Sequence, residues 1–335
     1  MRGGAHRGGG TAMYSRILGT GKGIPGQVLT NFDLEKRVDT SDTWIVERTG
    51  IRERRILEEG RTTSDLAAEA GRAALEAAGL PASRLDAIIV CTVTPDVPMP
   101  ACAVTVQQKL GANCAAWDMA AACAGFIYGL SVGDALLRAG NFRHILLIGV
   151  EVLSRAVDWS DRNTCILFGD GAGAVVLGAS DQPGILSTHL YADGAQAGLL
   201  SIPGGGVICP ATAASVASRQ HFIKMNGKGV FLHAVRNIAR ASLDALAHNR
   251  LTPDQIDWVV AHQANLRILE GVAEKTKLPL SKFYLNIHKY GNTSSASIPI
   301  ALDEAVRDGS IKPGQRLLLA ALGAGFSWGS ALVQW

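Results

Sequence analysis

The sequence has few charged residues and no long run of charge of either sign. Charged side chains make up 18% of its 335 residues, and 32 Lys and Arg against 29 Asp and Glu leave a formal net charge of +3. This balance argues against a dedicated nucleic-acid binding protein, so we expect no nucleic-acid partner. Hydrophobic residues reach 47%, which excludes intrinsic disorder for the body of the chain.

The sequence also lacks an uninterrupted apolar segment that would cross a membrane. Its longest charge-free stretch, residues 194–218, is broken by Pro203, Pro210 and three consecutive glycines, and is typical of a loop. Residues 1–12, MRGGAHRGGGTA, have no apolar segment of the kind found in signal peptides, and we expect them to form a disordered tail. We therefore expect a cytoplasmic protein with no membrane partner.

Signals for metal or nucleotide binding are missing too. The six cysteines contain no C-x-x-C pair, the segment GTGKGI (19–24) fails G-x-G-x-x-G because Ile24 takes the last position, and G-x-x-x-x-G-K-[ST] does not occur. Without an export signal, reduced thiols are the default for these cysteines. The sequence therefore predicts no metal site and no bound cofactor.

Two parts of the sequence repeat the same pattern of helix followed by buried strand. Residues 83–94, ASRLDAIIVCTV, match residues 252–263, TPDQIDWVVAHQ, and Asp86 matches Asp257 at an offset of 171. An Ala- and Leu-rich helical pattern precedes each segment. Internal similarity of this kind indicates a duplicated fold, although chance similarity between α/β units is the alternative.

The match continues towards the end of each half. Arg138 matches Arg307 at an offset of 169, and a Gly-rich turn and a strand close both halves. Helices that alternate with apolar strand segments predict a layered α/β fold with largely parallel strands. We expect two duplicated halves, residues 13–182 and 183–335.

Three polar residues take related places in the two halves. At the offset of 169, Cys123 falls on Asn292, and each follows a small-residue turn that begins a helix. His262 comes directly after a predicted strand, at the strand end where α/β proteins place their sites. If the halves pack about a pseudo-two-fold axis, we expect the three side chains to converge on one pocket.

A thiol, an imidazole and an amide in one pocket suit nucleophilic catalysis. A helix N-terminus favours the thiolate form of Cys123, and His262 is placed to assist it. The backbone N–H of Cys123 and one from residues 323–325 are candidates for an oxyanion hole. Taken singly, Cys123 also fits a small buried hydrophobic residue, His262 a loop cap and Asn292 a turn residue.

Four motifs together resemble β-ketoacyl-acyl carrier protein synthase III, the initiating condensing enzyme of type II fatty acid synthesis, within the thiolase superfamily. They are DMAAACAGF (118–126), HQANLRI (262–268), YGNTSSAS (290–297) and GAGFSWGSALV (323–333). The resemblance covers residues 14–335. It implies a five-layered αβαβα sandwich of two duplicated halves, a homodimer, and a ping-pong condensation of an acyl-CoA with malonyl-acyl carrier protein, with the CoA thioester as substrate and no cofactor.

The resemblance also implies a role for individual residues. Cys123 would carry the acyl group, His262 and Asn292 would stabilise the malonyl-derived enolate, and the backbone N–H groups of Cys123 and Ala324 would hold the oxyanion. The residues implied for CoA are Thr40, Trp44, Arg48, Arg162, Phe231 and Asn265. Those implied for the acyl pocket are Met99, which crosses to the partner subunit, Phe168, Leu200 and Leu322. Arg267 is implied in carrier-protein docking.

Three positions depart from the family pattern. Leu322 stands where a Phe commonly shields the decarboxylation site, Leu232 stands where a docking Lys can occur, and Ser295 replaces an Ala. Two other functions therefore remain open. One is a related acyltransferase or priming enzyme of secondary metabolism, and the other is a non-catalytic scaffold that binds acyl-CoA.

Overall fold

Two mixed β-sheets, one from each half of the chain, form the framework of the protein. The computed structural model describes residues 14–335, so the predicted tail at 1–12 and the first residue of the predicted N-terminal half lie outside the described residues. In the first sheet the strand order is β1-β7-β6-β4-β5, and in the second it is β11-β12-β13-β8.

Seven strands and six α-helices form the first half between residue 14 and residue 180. The strands are β1 (Tyr14–Gly23), β2 (Gln27–Thr30), β3 (Glu53–Ile56), β4 (Ala87–Cys91), β5 (Ala115–Met119), β6 (His144–Val152) and β7 (Asp170–Ser180). The helices are α1 (Asn31–Glu35), α2 (Asp42–Thr49), α3 (Thr63–Ala77), α4 (Cys102–Leu110), α5 (Gly125–Arg138) and α6 (Arg162–Cys165).

The second half begins after a turn at residues 181–184, which contains the predicted boundary. Its strands are β8 (Ile185–Ala192), β9 (Leu200–Ser201), β10 (Lys224–Met225), β11 (Trp258–Ala261), β12 (Arg316–Gly323) and β13 (Ser327–Gln334). Its helices are α7 (Ala213–Ala217), α8 (Gly227–His248), α9 (Leu266–Thr276), α10 (Ile287–Tyr290) and α11 (Ser297–Arg307). No helix of residues 14–335 is long and apolar enough to span a bilayer.

The sheets and helices stack as five layers. Helices α3 and α4 cover the outer face of the first sheet, and α8, with α9 against it, covers the outer face of the second. Helices α5 and α11 lie between the sheets, where each contacts strands of both. The predicted αβαβα sandwich is confirmed. The strands are less parallel than predicted, because β7 runs antiparallel to both β6 and β1, and β13 runs antiparallel to both β12 and β8.

Equivalent hydrogen bonds demonstrate the duplication. Asp86 Oδ2 accepts from His144 N at 3.0 Å, and Asp257 Oδ2 accepts from Arg316 N at 2.7 Å, so each aspartate joins the start of one strand to the next. In the helices between the sheets, Arg138 donates to Asp134 and Arg307 donates to Asp303. Both offsets found in the sequence therefore correspond to equivalent structure.

The offset of 169 does not extend to the starts of the two central helices. A 3₁₀ turn precedes each helix: Ala122–Ala124, the Cys123 turn, and Ser294–Ala296, the Ser295 turn. Ala122 and Ser294, the first residues of these turns, both have a positive φ, of 44° and 50°. Their offset is 172, so Cys123 corresponds to Ser295 rather than Asn292. The pairing of Cys123 with Asn292 is wrong because α11 is three residues shorter than α5.

Each turn packs against a strand of the opposite half. A Cβ added at Gly149 on β6 would lie 2.1 Å from the Ser295 carbonyl oxygen, and one at Gly323 on β12 would lie 2.6 Å from Cys123 N. Only glycine permits such an approach between backbones. These two contacts bring both turns to the centre of the molecule.

Candidate active site

Cys123 forms part of the wall between two cavities. It is 8% exposed and begins the approach to α5, the helix that lies between the two sheets. One cavity, of about 130 Å³, is the His262 cavity, and the other, of about 280 Å³, is the Val93 cavity. Cys123 therefore borders both cavities.

The His262 cavity contains all three residues singled out in the sequence. Cys123, His262 and Asn292 line it together with Leu322, and Phe231 and Asn265 line the same cavity. Although the offset that paired Cys123 with Asn292 is wrong, the Ser295 turn follows Asn292 by two residues and carries it to the same place. The structure therefore brings the three side chains together.

The Val93 cavity shares Cys123 with the His262 cavity and is lined mainly by apolar side chains. Its lining residues are Val93, Ala122, Cys123, Leu153, Phe168, Leu200, Ser201, Ile202, Ile223, Ser294 and Ala324. Two of the residues implied for an acyl pocket, Phe168 and Leu200, border both cavities, whereas Leu322 borders only the His262 cavity. Met99 lies outside both and is 86% exposed.

His262 is buried and uncharged. It follows β11 directly, is 2% exposed, and donates its backbone N–H to the Ala320 carbonyl at 2.9 Å. Burial lowers the pKa of the imidazole to about 3, so the ring is neutral at physiological pH. Its Nδ1 is buried without a hydrogen-bond partner, which leaves Nε2 as the ring nitrogen facing the cavity.

The Asn292 side chain has a defined orientation. Its Oδ1 accepts from the backbone N–H of Ser294 at 2.9 Å, and a backbone N–H has no other role than donor. The Nδ2 group is therefore the end of the amide that remains free to donate into the cavity. Asn292 and His262 thus present an amide and a neutral imidazole to the cavity that Cys123 also borders.

Cys123 is protonated in this environment. Burial raises the pKa of its thiol to about 12, although a hydrogen bond with Ser294 lowers it in part. That the helix N-terminus favours the thiolate stays a prediction, since the raised pKa of the thiol reflects chiefly its loss of hydration.

Two amide groups near the sulfur are unused. The backbone N–H groups of Cys123 and Ala324 donate to no other residue of the described chain, and both residues border the Val93 cavity. Ala324 follows Gly323, whose close approach to Cys123 brings the two backbones together. Such a pair of free donors has the form of an oxyanion hole.

A cluster of aromatic and cationic side chains lies on α2 and α6. The Trp44 ring has the Arg48 guanidinium 4.9 Å and the Arg162 guanidinium 5.0 Å from its centroid. Arg162 also donates a hydrogen bond to the carbonyl oxygen of Asp39. The next residue, Thr40, has its hydroxyl oxygen buried without a hydrogen-bond partner.

Asn265 connects this cluster to the His262 cavity. It lines the cavity, and its Nδ2 donates to the Arg48 carbonyl oxygen at 2.9 Å. Phe231 lies on the same cavity wall, at the start of α8. Arg267 is exposed in the first turn of α9, and Asn265 Oδ1 accepts from its backbone N–H at 2.9 Å.

Glu151 is a buried acidic residue of the site that the sequence analysis did not single out. This residue lies near the end of β6, is 0% exposed, and hydrogen-bonds to the Ser295 turn beside Cys123. A single acidic residue in an apolar segment, ILLIGVEV, was the one available signal. Among residues 14–335 there is no group of three His, Cys, Asp or Glu side chains arranged to hold a metal ion.

Two family models match the chain. The model of 3-oxoacyl-[acyl-carrier-protein (ACP)] synthase III matches residues 117–194, and the model of its C-terminal region matches residues 246–335. The first segment contains Cys123, and the second contains His262 and Asn292.

Relatives resemble the chain over nearly its whole length. Beta-ketoacyl-[acyl-carrier-protein] synthase III from Paramagnetospirillum magneticum is 51% identical over 327 residues, which cover 96% of this chain and 98% of the relative. The crystal structure of 3-oxoacyl-[acyl-carrier-protein] synthase III from Aquifex aeolicus VF5 has a TM-score of 0.89 at 44% identity, covering 96% of this chain and all of that one. The priming β-ketosynthase from the R1128 polyketide biosynthetic pathway has a TM-score of 0.90 at 36% identity, covering 96% of each chain. With half of its residues identical to those of full-length relatives, the chain belongs to the β-ketoacyl-[acyl-carrier-protein] synthase III family and has its thiolase-like fold.

Proposed function

We propose that the protein catalyses the initiating decarboxylative condensation of an acyl-CoA primer with malonyl-acyl carrier protein. The products are 3-oxoacyl-acyl carrier protein, CoA and CO₂. The observation that carries this proposal is the position of Cys123 between two cavities, one with two uncharged donors and the other with two unused amide groups. A binding scaffold has no need of a thiol in that position.

In the first half-reaction Cys123 takes the acyl group. Its Sγ attacks the thioester carbonyl of the acyl-CoA, the bond from that carbonyl to the CoA sulfur breaks, and CoA leaves. The amide groups of Cys123 and Ala324 stabilise the oxyanion that forms in between. The apolar Val93 cavity receives the acyl chain, which Phe168 and Leu200 contact.

In the second half-reaction malonyl-acyl carrier protein binds in the His262 cavity. Loss of CO₂ leaves an enolate, whose oxygen accepts from His262 Nε2 and Asn292 Nδ2. The enolate carbon then attacks the acyl thioester of Cys123 and releases the sulfur. Because burial keeps His262 neutral, it donates a hydrogen bond without readily protonating the enolate carbon. Leu322 supplies an apolar wall beside the enolate where a Phe is common.

The surface cluster around Trp44 provides a binding site for the nucleotide end of CoA. The Arg162 guanidinium lies over the Trp44 ring, and an adenine that enters between them would stack on both side chains. Arg48 and Arg162 supply positive charge for phosphate groups. The rest of the CoA molecule would extend from this cluster to the thiol past Thr40, Phe231 and Asn265. A separate exposed cation, Arg267, would bind the carrier protein.

A homodimer is part of the proposal. Strand β5 pairs only with β4, which leaves its other edge without a partner in the described chain. Unprotected edge strands favour pairing with a second copy. Met99 and Val97 are exposed on the loop between β4 and α4, and in a dimer Met99 would reach the partner's Val93 cavity.

All six cysteines are free thiols, which supports a reducing, cytoplasmic location.

A priming enzyme of secondary metabolism is the second candidate. Two observations favour it. The chain is similar to the priming β-ketosynthase of a polyketide pathway, and it has Leu322 where the family commonly has a Phe. Such an enzyme would form the same acyl-Cys123 intermediate. It would pass the acyl group to the carrier protein of that pathway in preference to the carrier of fatty acid synthesis.

Intact-protein mass spectrometry after incubation with acetyl-CoA and longer or branched acyl-CoAs tests the first half-reaction. We expect one acyl adduct, mapped to Cys123, absent from Cys123→Ala and retained in Cys91→Ala, which removes another fully buried thiol. Addition of malonyl-acyl carrier protein should then discharge the adduct as a 3-oxoacyl product. Absence of any adduct with all acyl-CoAs would refute the proposal, and discharge only by a polyketide carrier would support the second candidate.

A further inference from the structure

Three buried serine residues lie at the start of α11. Two belong to the Ser295 turn, and Ser297 is the first residue of the helix. Buried hydroxyl groups that bond to other elements fix the position of the segment that carries them. The start of α11 is held in this way from three sides. The partners are Glu151 Oε1 for Ser294 at 3.3 Å, the Cys91 carbonyl oxygen for Ser295 at 2.7 Å, and Gln263 N for Ser297 at 2.7 Å.

Ser297 bonds to the backbone that carries His262. The next residue is Gln263, whose backbone N–H donates to Ser297 Oγ. The Gln263 side chain holds the same segment, because its Nε2 donates to the carbonyl oxygens of Ala261 and Tyr284. The imidazole Nδ1 has no hydrogen-bond partner, so the place of the ring depends on this backbone. A hydroxyl group at the start of α11 therefore helps to set where the His262 donor lies.

Ser294 orients Asn292 in a similar way. Its backbone N–H donates to Asn292 Oδ1 at 2.9 Å, the contact that leaves the amide Nδ2 free to face the His262 cavity. The φ of Ser294 is 50°, in the left-handed region that residues with a Cβ seldom adopt. Such a conformation persists only where surrounding contacts hold it, and the Ser294 hydroxyl bonds to Glu151. Glu151 is therefore connected to the Asn292 donor through one residue.

Glu151 is placed to anchor the Ser295 turn. It lies on β6, which pairs with β4 on one side and β7 on the other, so its backbone is fixed in the first sheet. Its carboxyl group accepts from Val93 N at 3.1 Å and Thr94 Oγ1 at 2.6 Å, and both serine hydroxyls of the turn lie within 3.3 Å of Oε1. Two carboxyl oxygens offer about four lone pairs, enough to hold groups from both halves at once. A central strand of the first half therefore fixes a turn of the second.

We propose that Ser297 and Glu151 are positioning residues for the second half-reaction. Ser297 acts on His262, and Glu151 acts on Asn292. An enolate oxygen accepts from both donors only when their spacing is correct, and both are bonded to the segment that begins α11. Neither positioning residue lines the His262 cavity, so neither touches the malonyl group.

The first half-reaction depends on other groups. Its oxyanion donors are the backbone N–H groups of Cys123 and Ala324, which the close approach at Gly323 brings together. Loss of either positioning residue should therefore slow condensation much more than acylation, whereas a general loss of stability would slow both steps alike. Ser297 gives the cleaner test, because Glu151 also bonds to Val93 at the wall of the Val93 cavity.

The test, which rests on the proposed function, measures the two half-reactions separately in Ser297→Ala. Formation of acyl-Cys123 from acetyl-CoA and its discharge by saturating malonyl-acyl carrier protein are each followed over a single turnover by intact-protein mass spectrometry. A misplacement of about 1 Å costs on the order of 100-fold in rate, and the loss of one hydrogen bond permits a smaller shift. We expect discharge about 30-fold slower, with formation within about twofold of the unaltered enzyme.

Ser330→Ala is the matched control. Ser330 is another buried serine, and its hydroxyl donates to the carbonyl oxygen of Ala241, away from both donors. Both rates should stay within about twofold of those of the unaltered enzyme. Near-ultraviolet circular dichroism establishes that each variant is folded.

Double variants identify the donor on which each positioning residue acts. In a His262→Ala background, Ser297→Ala should slow discharge by no more than about twofold further, because the donor that it positions is gone. Glu151→Met has a similar length but no acceptor oxygen, and it should slow discharge about tenfold alone and about twofold at most beside Asn292→Ala. Glu151→Gln keeps an acceptor oxygen and should recover most of the rate. Ser297→Ala removes no ionisable group and tests the proposal even where Glu151→Met does not fold.

Three results would overturn the assignment. They are equal slowing of formation and discharge in Ser297→Ala, a full additional effect of Ser297→Ala in the His262→Ala background, and discharge in Ser297→Ala at the rate of the unaltered enzyme. Failure of the unaltered enzyme to form acyl-Cys123, or of malonyl-acyl carrier protein to discharge it, would instead refute the proposed function.

Discussion

Replacement of Gly323 by alanine tests whether the position of the Cys123 turn controls acylation. The added Cβ would lie 2.6 Å from Cys123 N, with Ala121 O and Ala124 N each at 2.9 Å. All three are backbone atoms, and ordinary contact begins near 3.4 Å, so the turn must move by about 0.8 Å. A misplacement of about 1 Å at a reacting group costs on the order of 100-fold in rate. We therefore expect Gly323→Ala to acylate Cys123 about 100-fold more slowly.

The assay is a single turnover with the acyl-CoA that best acylates the unaltered enzyme, quenched in acid and followed by intact-protein mass spectrometry. Near-ultraviolet circular dichroism establishes that the variant is folded. The matched control is Gly198→Ala, because a Cβ there meets nothing within 4 Å and the rate should not change. A folded Gly323→Ala that acylates within twofold of the unaltered enzyme would refute the reasoning.

Three further variants address other parts of the site. In the folded protein the pKa of His262 is lowered from 6.5 to about 3, so the contribution of its neutral ring to stability is present above pH 6.5 and is lost as the pH falls. Relative to His262→Gln, the unaltered protein should lose about 2 kcal/mol in free energy of unfolding between pH 7.5 and pH 5, as measured by urea denaturation. A difference that stays constant with pH would contradict a neutral buried ring. Trp44→Ala should raise the acyl-CoA concentration for half-maximal acylation by about tenfold with little change in the maximal rate, whereas an acyl-pantetheine donor, which lacks the adenine, should be unaffected. Arg267→Glu should slow discharge of acyl-Cys123 by malonyl-acyl carrier protein several-fold and leave its formation by acyl-CoA unchanged, and equal slowing of both steps would exclude a docking role.

Local patterns in the sequence were sufficient to predict the duplicated fold. Asp86 and Asp257 precede equivalent strands because each binds backbone N–H groups at the start of the neighbouring strand, a constraint that retains the residue type. Arg138 and Arg307 are retained for a similar reason, as each pairs with an aspartate one turn earlier on its helix. These contacts join residues that lie one helical turn apart or at the starts of neighbouring strands. Contacts of both kinds can therefore be predicted from sequence patterns.

The interior of the site was not predictable in this way. The difference of three residues between α5 and α11 changes the offset at their N-termini, and no sequence pattern reports helix length that closely. The protonation of Cys123 depends on burial, which results from how the two halves pack. Glu151 was missed because its partners, Thr94 and Ser294, lie 57 and 143 residues away along the chain.

The reciprocal contacts at Gly149 and Gly323 have a consequence for cooperativity. Each half supplies the surface on which the other half's turn rests, so neither turn has its native support within its own half. Helices α5 and α11 also contact strands of both sheets, so the two halves share one core. The duplication is therefore one of shape but not of folding units. We expect fragments 14–182 and 183–335 to remain unfolded separately and to gain structure only when mixed, and the intact chain to unfold in a single transition.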